Sequence, residues 1–253
     1  MTGRPSAGAG LPLSSHMTDQ LVSLPWDSEF LGFPVGTVTS SPGGEALPAL
    51  VARARAQGYR LLYLVVPPDD PAGQATARAQ GGLLVDRKVT YLRVVPSQPE
   101  PVEDADIVAV TAYTPALRSL TLQSGIYSRF RLDPNVAPGV FENLYTTWMQ
   151  KSLSGQLART VLAYPSAGPE LGMLTLGEQQ GRADIGLMAV AAAARRGHIG
   201  QRLVAVACGL TVSWGLRELQ VVTQLENEGA CRFYEKCGFH QEKVNYIYHL
   251  WLR

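Results

Sequence analysis

"MAVAAAARRGHIGQRLVAVACGL", residues Met188 to Leu210, decides how the chain folds. A β-like segment, Gly186 to Val190, runs through four alanines into Arg195-Arg196-Gly197-His198-Ile199-Gly200, and a long apolar helical stretch, Ile199 to Leu216, follows at once. The first turn of an α-helix presents amide N–H groups that have no partner, and the helix dipole adds about half a positive charge there. Phosphate binds such an end well. Gly197 and Gly200 let the backbone approach a ligand without a Cβ in the way. Arg195 and Arg196 can add charge-assisted bonds to phosphate oxygens. A helix body this apolar is buried against a sheet, so only its N-terminus faces a site. The same residues also suit a plain strand-to-helix turn.

Outward from this stretch, strands and helices alternate. Arg159 to Tyr164, Leu171 to Glu178 and Ala183 to Val190 read as strands before it. Leu219 to Gln224 (strand), Glu228 to Cys237 (helix) and His240 to Leu252 (strand) come after it. Upstream, Pro115 to Gln123 is a short helix. Phe141, Leu144, Tyr145, Trp148, Met149 and Leu153 recur at helical spacing and give an amphipathic helix closed by Gly155. Residues 102–253 thus form one α/β domain with a mixed sheet.

Residues 19–96 form a smaller α/β unit. Its strands are Leu21 to Leu24, Phe33 to Thr39, Tyr59 to Val66 and one or two within Leu83 to Val95. Its helices are Ala46 to Gln57, ended by Gly58, and Asp70 to Gln80, capped by Asp70. The proline-rich stretch from Pro96 supplies a linker at 97–101. Residues 1–18 read as a disordered leader, in which Ser15-His16-Met17 resembles a cloning remnant, with Met17 as an alternative start.

Composition bounds the function. The 253 residues carry a formal net charge of +1, with 46% hydrophobic and 17% charged. That balance gives no electrostatic case for nucleic acid or a membrane surface. No apolar run approaches the roughly 20 residues a transmembrane helix needs, and the start lacks a signal peptide's apolar core. Cys208, Cys231 and Cys237 have no metal-ligand spacing and read as reduced thiols of a cytoplasmic protein. The four histidines are equally scattered, so no metal is expected.

Strand, then Arg195-x-x-x-x-Gly200, then an apolar helix resembles motif A of the GCN5-related N-acetyltransferases (GNAT), Gln/Arg-x-x-Gly-x-Gly/Ala. His198 stands where that family has its first glycine. Either it is an exposed loop residue or its imidazole contacts a phosphate. Asn227-Glu-Gly-Ala230-Cys-Arg-Phe-Tyr234-Glu-Lys-Cys-Gly238-Phe239 resembles motif B. The resemblance implies the α/β GNAT fold, with a mixed, splayed sheet, preceded by a smaller incomplete GNAT-like domain. It implies acetyl-CoA as co-substrate, held by Leu187, Met188, Ala189, Val190, Arg195, Arg196, Gly197, His198, Ile199, Gly200, Gln201, Asn227 and Ala230. Met188 and its neighbours would pair with the pantetheine like an added strand. Tyr234 would protonate the leaving thiolate; a packed core tyrosine is the other reading. A homodimer is also among the family's arrangements.

Leu24-Pro-Trp26-Asp27-Ser-Glu-Phe30-Leu-Gly-Phe33 resembles the opening of bacterial transferases that acetylate dTDP-4-amino-4,6-dideoxy-galactose. The likeness spans about residues 20 to 253. It implies a nucleotide-linked amino sugar as acceptor; another small-molecule or protein amine, or a non-catalytic CoA-binding domain, are the alternatives. Arg129 and Arg131, flanking Phe130, can hold the substrate's diphosphate or belong to a surface loop. Glu178 at a strand end can act as base through water or be an exposed carboxylate.

Overall fold

The computed structural model describes residues 21–38, 46–96 and 104–252, so the leader and the linker at 97–101 lie outside the described residues. The first segment contains β1 (Leu21–Ser23), α1 (Pro25–Leu31), β2 (Val35–Val38), α2 (Ala46–Ala56), β3 (Leu61–Val66), α3 (Pro71–Ala79) and β4 (Leu83–Val94). Then come β5 (Val108–Ala109), α4 (Pro115–Ser124), α5 (Arg129–Leu132), α6 (Val140–Leu153), β6 (Thr160–Tyr164), β7 (Gly172–Gln179) and β8 (Arg182–Val190). A 3-10 turn (Ala192–Ala194), α7 (Ile199–Ser213), β9 (Glu218–Gln224), α8 (Glu228–Lys236) and β10 (His240–Trp251) complete the chain.

Local chemistry accounts for the element ends. Asp70 caps α3 by accepting the Gly73 amide at 2.8 Å, and Thr114 caps α4 through the Leu117 amide at 3.0 Å. Gly32 ends α1 in the left-handed region at φ 75°. Leu83 to Val94 is a single strand.

Among the described residues ten strands join one mixed sheet in the order β1-β2-β3-β10-β4-β9-β8-β7-β6-β5. β4, from the first segment, lies between β9 and β10 of the second, and β3 flanks β10 on the other side. The sheet therefore runs unbroken through both sequence segments. One face packs against α7 and α8 through Val89, Leu174, Ile185, Leu203 and Val221, and farther along against α2 and α3 through Leu62, Leu64 and Tyr248. The other face packs against α4, α5 and α6 through Leu117, Phe130, Leu144, Met149, Met173 and Leu187.

Two irregularities re-aim side chains across the sheet. On β8, Gly186 and Leu187 oppose Thr175 alone, between the pairs Leu176↔Ile185 and Leu174↔Met188. Ala183 and Ile185 face α7, whereas Leu187 and Ala189 face α4 and α6. On β4, Val85 is skipped between Leu84↔Tyr248 and Asp86↔Ile247. Leu84 therefore packs with Tyr248, while Asp86 shares the face of Ile247 with α5 and α6. A one-residue bulge is what turns a strand's side chains over in this way.

Gly125 joins α4 to the turn before α5, and a Cβ there would sit 2.4 Å from the Tyr145 ring. A buried ring held between Phe141 and Trp148 cannot swing away. Gly125→Ala should cost about 1–3 kcal/mol. In a melting experiment that is about 2–4 °C per kcal/mol; an unchanged Tm would mean that α4 and α6 lie farther apart than described.

Candidate active site

The site begins where β8 and β9 separate. These parallel strands pair only over Ala183–Ile185 and Leu219–Val221, although each continues beyond. Opposite edges stay fixed, because β9 is laddered to β4 along Glu218 to Gln224 and β8 to β7 as far as Val190. The gap passes through the sheet and opens a cleft of about 940 Å3, counted with its mouth.

One wall of that gap is strand-edge backbone. The Ala191 amide donates to the Leu171 carbonyl at 2.8 Å, so alternation in an antiparallel pair turns the N–H and C=O groups of Val190 and Met188 away from β7. The Val190 carbonyl indeed accepts from Gln123 Nε2 at 2.7 Å and Arg195 Nε at 3.3 Å. The Leu187 amide is taken by Thr175 Oγ1 at 2.8 Å. Met188 therefore presents strand-edge groups to the cleft, while the Val190 carbonyl is already bonded and the Leu187 amide is turned aside.

At one end of this edge lies the arginine-glycine loop. Arg195, Arg196, Gly197 and His198 are exposed. Arg196 and His198 sit at φ 68° and 60°, a left-handed conformation that costs a side-chain-bearing residue about 1–2 kcal/mol. Successive amides in such turns form a concave anion nest. His198 precedes α7 without a side-chain cap; its Nδ1 lies 2.7 Å from Gln201 Oε1. The first α7 amide bonded back into the helix is Arg202, to the His198 carbonyl at 3.0 Å, which leaves those of Ile199, Gly200 and Gln201 directed outward. A Cβ on Gly200 would stand 3.0 Å from the Phe233 ring, so this glycine lets α7 approach α8 closely. Arg202 is committed elsewhere, bonded to Asp104 and Asp106.

α8 supplies the adjoining wall. Asn227 caps it through the Ala230 amide at 3.3 Å and reaches Thr223 Oγ1 at 3.5 Å. Tyr234 lies one turn beyond Ala230 and is buried between Phe233 and Phe239, its hydroxyl 3.8 Å from Met188 Sδ. Burial raises the Tyr234 pKa, with a further push from Cys237 and Cys231, so the phenol stays protonated at neutral pH.

Across the sheet the cleft is polar and aromatic. Asp86 and Lys88 come from β4, Arg129 from α5, and Tyr145 and Trp148 from α6. Burial, and then Arg129, push Lys88 down to about 8. Burial pushes Asp86 up to about 6, against the pull of Arg129 and Lys88. The sequence reading missed this pair; its signal was the charged run Asp86-Arg87-Lys88 inside an otherwise apolar strand.

Arg129 stacks over Tyr63 at 4.5 Å and Phe130 at 4.8 Å, and its buried Nε has no hydrogen-bond partner among the described residues. The Tyr63 hydroxyl donates to Asp27 at 3.1 Å, so the opening motif of the first segment seats this arginine. Asp133, just after α5, accepts from Trp251 Nε1 at 2.8 Å and lies 2.6 Å from His249 Nδ1, tying α5 to β10. Burial pushes His249 down to about 4 despite Asp133, so the ring is neutral. Arg131 points elsewhere: it is exposed and donates to the Ile126 carbonyl at 3.4 Å. Glu178 lies near the end of β7 opposite Ala183, where β8 and β9 are still paired. It is ion-paired with Arg159 and does not line the cleft.

Residues 130–239 match the Acetyltransferase (GNAT) family model. Spore coat polysaccharide biosynthesis protein SpsD of Bacillus subtilis (strain 168) is 28% identical over 138 residues, 54% of this chain and 47% of that relative, so the match spans about half of the relative's length. A functionally unknown conserved protein from Staphylococcus epidermidis superposes with a TM-score of 0.63 over 94% of both chains at 14% identity. A GCN5-related N-acetyltransferase from Sphaerobacter thermophilus does so with 0.56, at 16% identity, over 85% of this chain and 72% of that one. At such identities the two structures show the fold alone. The family segment, residues 130–239, thus lies within a chain that has the fold of these two structures. Among the described residues there is no His, Cys, Asp and Glu group that could hold a metal, and no helix is long and apolar enough to cross a membrane.

The strained loop gives a first test at the site. His198→Gly relieves a left-handed side-chain-bearing residue at some cost in chain entropy, and should raise stability by about 0.5–1 kcal/mol with acetyl-CoA affinity kept. A drop in stability would mean that the bond to Gln201 holds the loop. Arg195→Glu should weaken acetyl-CoA about 10- to 100-fold by calorimetry, the worth of a charge-assisted hydrogen bond; equal affinity would place the phosphates elsewhere.

Proposed function

We propose that the protein moves the acetyl group of acetyl-CoA to the amine of a nucleotide-linked amino sugar, such as a dTDP-4-amino-4,6-dideoxyhexose, by direct attack. The observation that carries this reading is the cleft through the sheet. A strand edge lines it at Met188, with the left-handed loop Arg196–His198 farther along the chain before α7, and a cationic, aromatic chamber lies on the side of α5 and α6.

The pyrophosphate would take the outward amides of Ile199, Gly200 and Gln201 with Arg195 and Arg196, and the pantetheine would pair with Met188 and Val190 as an added strand. Arg195 would then exchange its bond to the Val190 carbonyl for phosphate oxygens. The cleft-facing Met188 amide is the donor available to the thioester carbonyl as negative charge develops on it. Tyr234 would give its proton to the departing sulfur. Its low-dielectric surroundings also raise the proton affinity of the thiolate, which keeps the two groups matched.

The sugar acceptor is supported by SpsD, whose name places that relative in polysaccharide biosynthesis, and by the Trp26-Asp27 to Phe33 motif. That motif has a physical part in the chamber, since Asp27 and Tyr63 seat Arg129. Arg129 alone of the two arginines faces the cleft and would meet the acceptor's diphosphate. Glu178, bound to Arg159 outside the cleft, receives no catalytic step.

Tyr234→Phe should lower kcat about 100-fold or more with dTDP-4-amino-4,6-dideoxy-galactose, while acetyl-CoA binds within twofold of wild type. An unchanged kcat would remove Tyr234 as the acid. Acetyl transfer to other amines in preference to the nucleotide sugar would keep the acyltransferase and overturn the acceptor.

A further inference from the structure

We infer that Asp86 takes the proton from the acceptor amine, on the face of the sheet opposite Tyr234. The inference rests on the acyl-transfer reading above and adds to it a residue from a strand outside the family-matched segment 130–239.

Asp86 occupies an unfavourable place for a carboxylate. It is only 7% exposed, on a strand whose neighbours Val85 and Val89 are core residues. Its Oδ1 is buried with no hydrogen-bond partner among the described residues, while the Gln224 side chain bonds the carboxyl group. Leaving a buried acceptor unmatched is unfavourable, and a purely structural carboxylate would be satisfied. The skipped Val85 is what turns Asp86 toward α5 and α6; without it, Asp86 would share the face of Leu84 and Tyr248.

Asp86 also lines two hollows. One is the cleft that holds Tyr234 and the edge of β8. The other, of about 550 Å3 counted with its mouth, is bounded by Leu83, Arg87, Leu132, Pro134 and Glu226. An amine entering from this outer hollow meets Asp86 before it reaches the thioester. The charged and titratable groups around Asp86 are Lys88 on its own strand, Arg129 from α5, Tyr145 from α6 and Glu226 from the turn after β9. Ile247 is its neighbour on β10, and Asp184, bonded by Gln220, lines the floor from β8. With its pKa raised to about 6, Asp86 is ionised at neutral pH yet retains more affinity for a proton than an ordinary carboxylate.

The acceptor leaves its ammonium proton in water and enters as the neutral amine; its nitrogen forms the C–N bond and gives the proton it then carries in excess to Asp86. The C–S bond breaks, and the sulfur leaves with the proton of Tyr234. Asp86 then returns its proton to water, and Tyr234 regains one from water. Because Asp86 works only when ionised, kcat/KM for the amine should rise with pH through about 6.

The test uses the full chain and whichever primary amine the wild type acetylates fastest among dTDP-4-amino-4,6-dideoxy-galactose, glucosamine and spermidine. Asp86→Asn should lower kcat about 100-fold or more, abolish the limb near pH 6 and leave acetyl-CoA affinity within twofold, which also shows that the variant folds. Asp86→Glu should recover part of the rate and keep an acidic limb. Activity of Asp86→Asn within fivefold of wild type, or an unaltered limb, would overturn the inference while the acyltransferase reading stands. Failure of wild type to acetylate any of the three amines would overturn both.

Discussion

Everything functional in this molecule depends on the separation of β8 from β9 after Ile185 and Val221. Two parallel strands that diverge must leave backbone donors and acceptors without a ladder, and unpaired edges recruit another extended chain. Three features enforce the divergence. β4 holds β9 along its whole length, β7 holds β8, and the Gly186–Leu187 bulge changes the course of β8 where pairing stops. Thr175 captures the Leu187 amide within the bulge, and the backbone groups of Met188 are left facing the gap.

The gap also divides the chemistry. α7 and α8 bring amides, exposed arginines and a protonated phenol to one side. β4, α5 and α6 bring a carboxylate, a lysine and a stacked arginine to the other. Burying charges is unfavourable unless they are matched, and here they offset one another across a few residues. Strain at Arg196 and His198 is a similar local cost. Backbone held in sparsely populated regions persists where a rigid surrounding imposes it, and this loop is clamped between β8 and a well-packed α7.

Much of this was legible in the sequence because it is local. The apolar periodicity of Ile199 to Ser213, the alternating runs of β6 to β9, the Asp70 cap and the Asn227 cap all follow from neighbouring residues. What escaped is nonlocal. Nothing near Leu83 to Val94 says that this strand inserts between β9 and β10, and so Asp86 and Lys88 look like ordinary polar positions. Glu178 sits at a strand end, but only the pairing tells which end of an antiparallel strand faces the cleft. Arg129 and Arg131 are two residues apart, about 200° around a helix, so α5 turns one inward and the other to solvent. Helix α1 was hidden because seven residues carry little periodicity; its Trp26–Phe30 stacking at 5.2 Å is the signature that was available.

The central claim is that acetyl-CoA occupies the parted strands as an extra strand. Amide hydrogen exchange of the full chain, with and without saturating acetyl-CoA, addresses it directly. The account predicts strong protection confined to peptides covering residues 186–202 and 223–230, with β1 to β3 unchanged. Binding of acetyl-CoA without protection of 186–202 would contradict it.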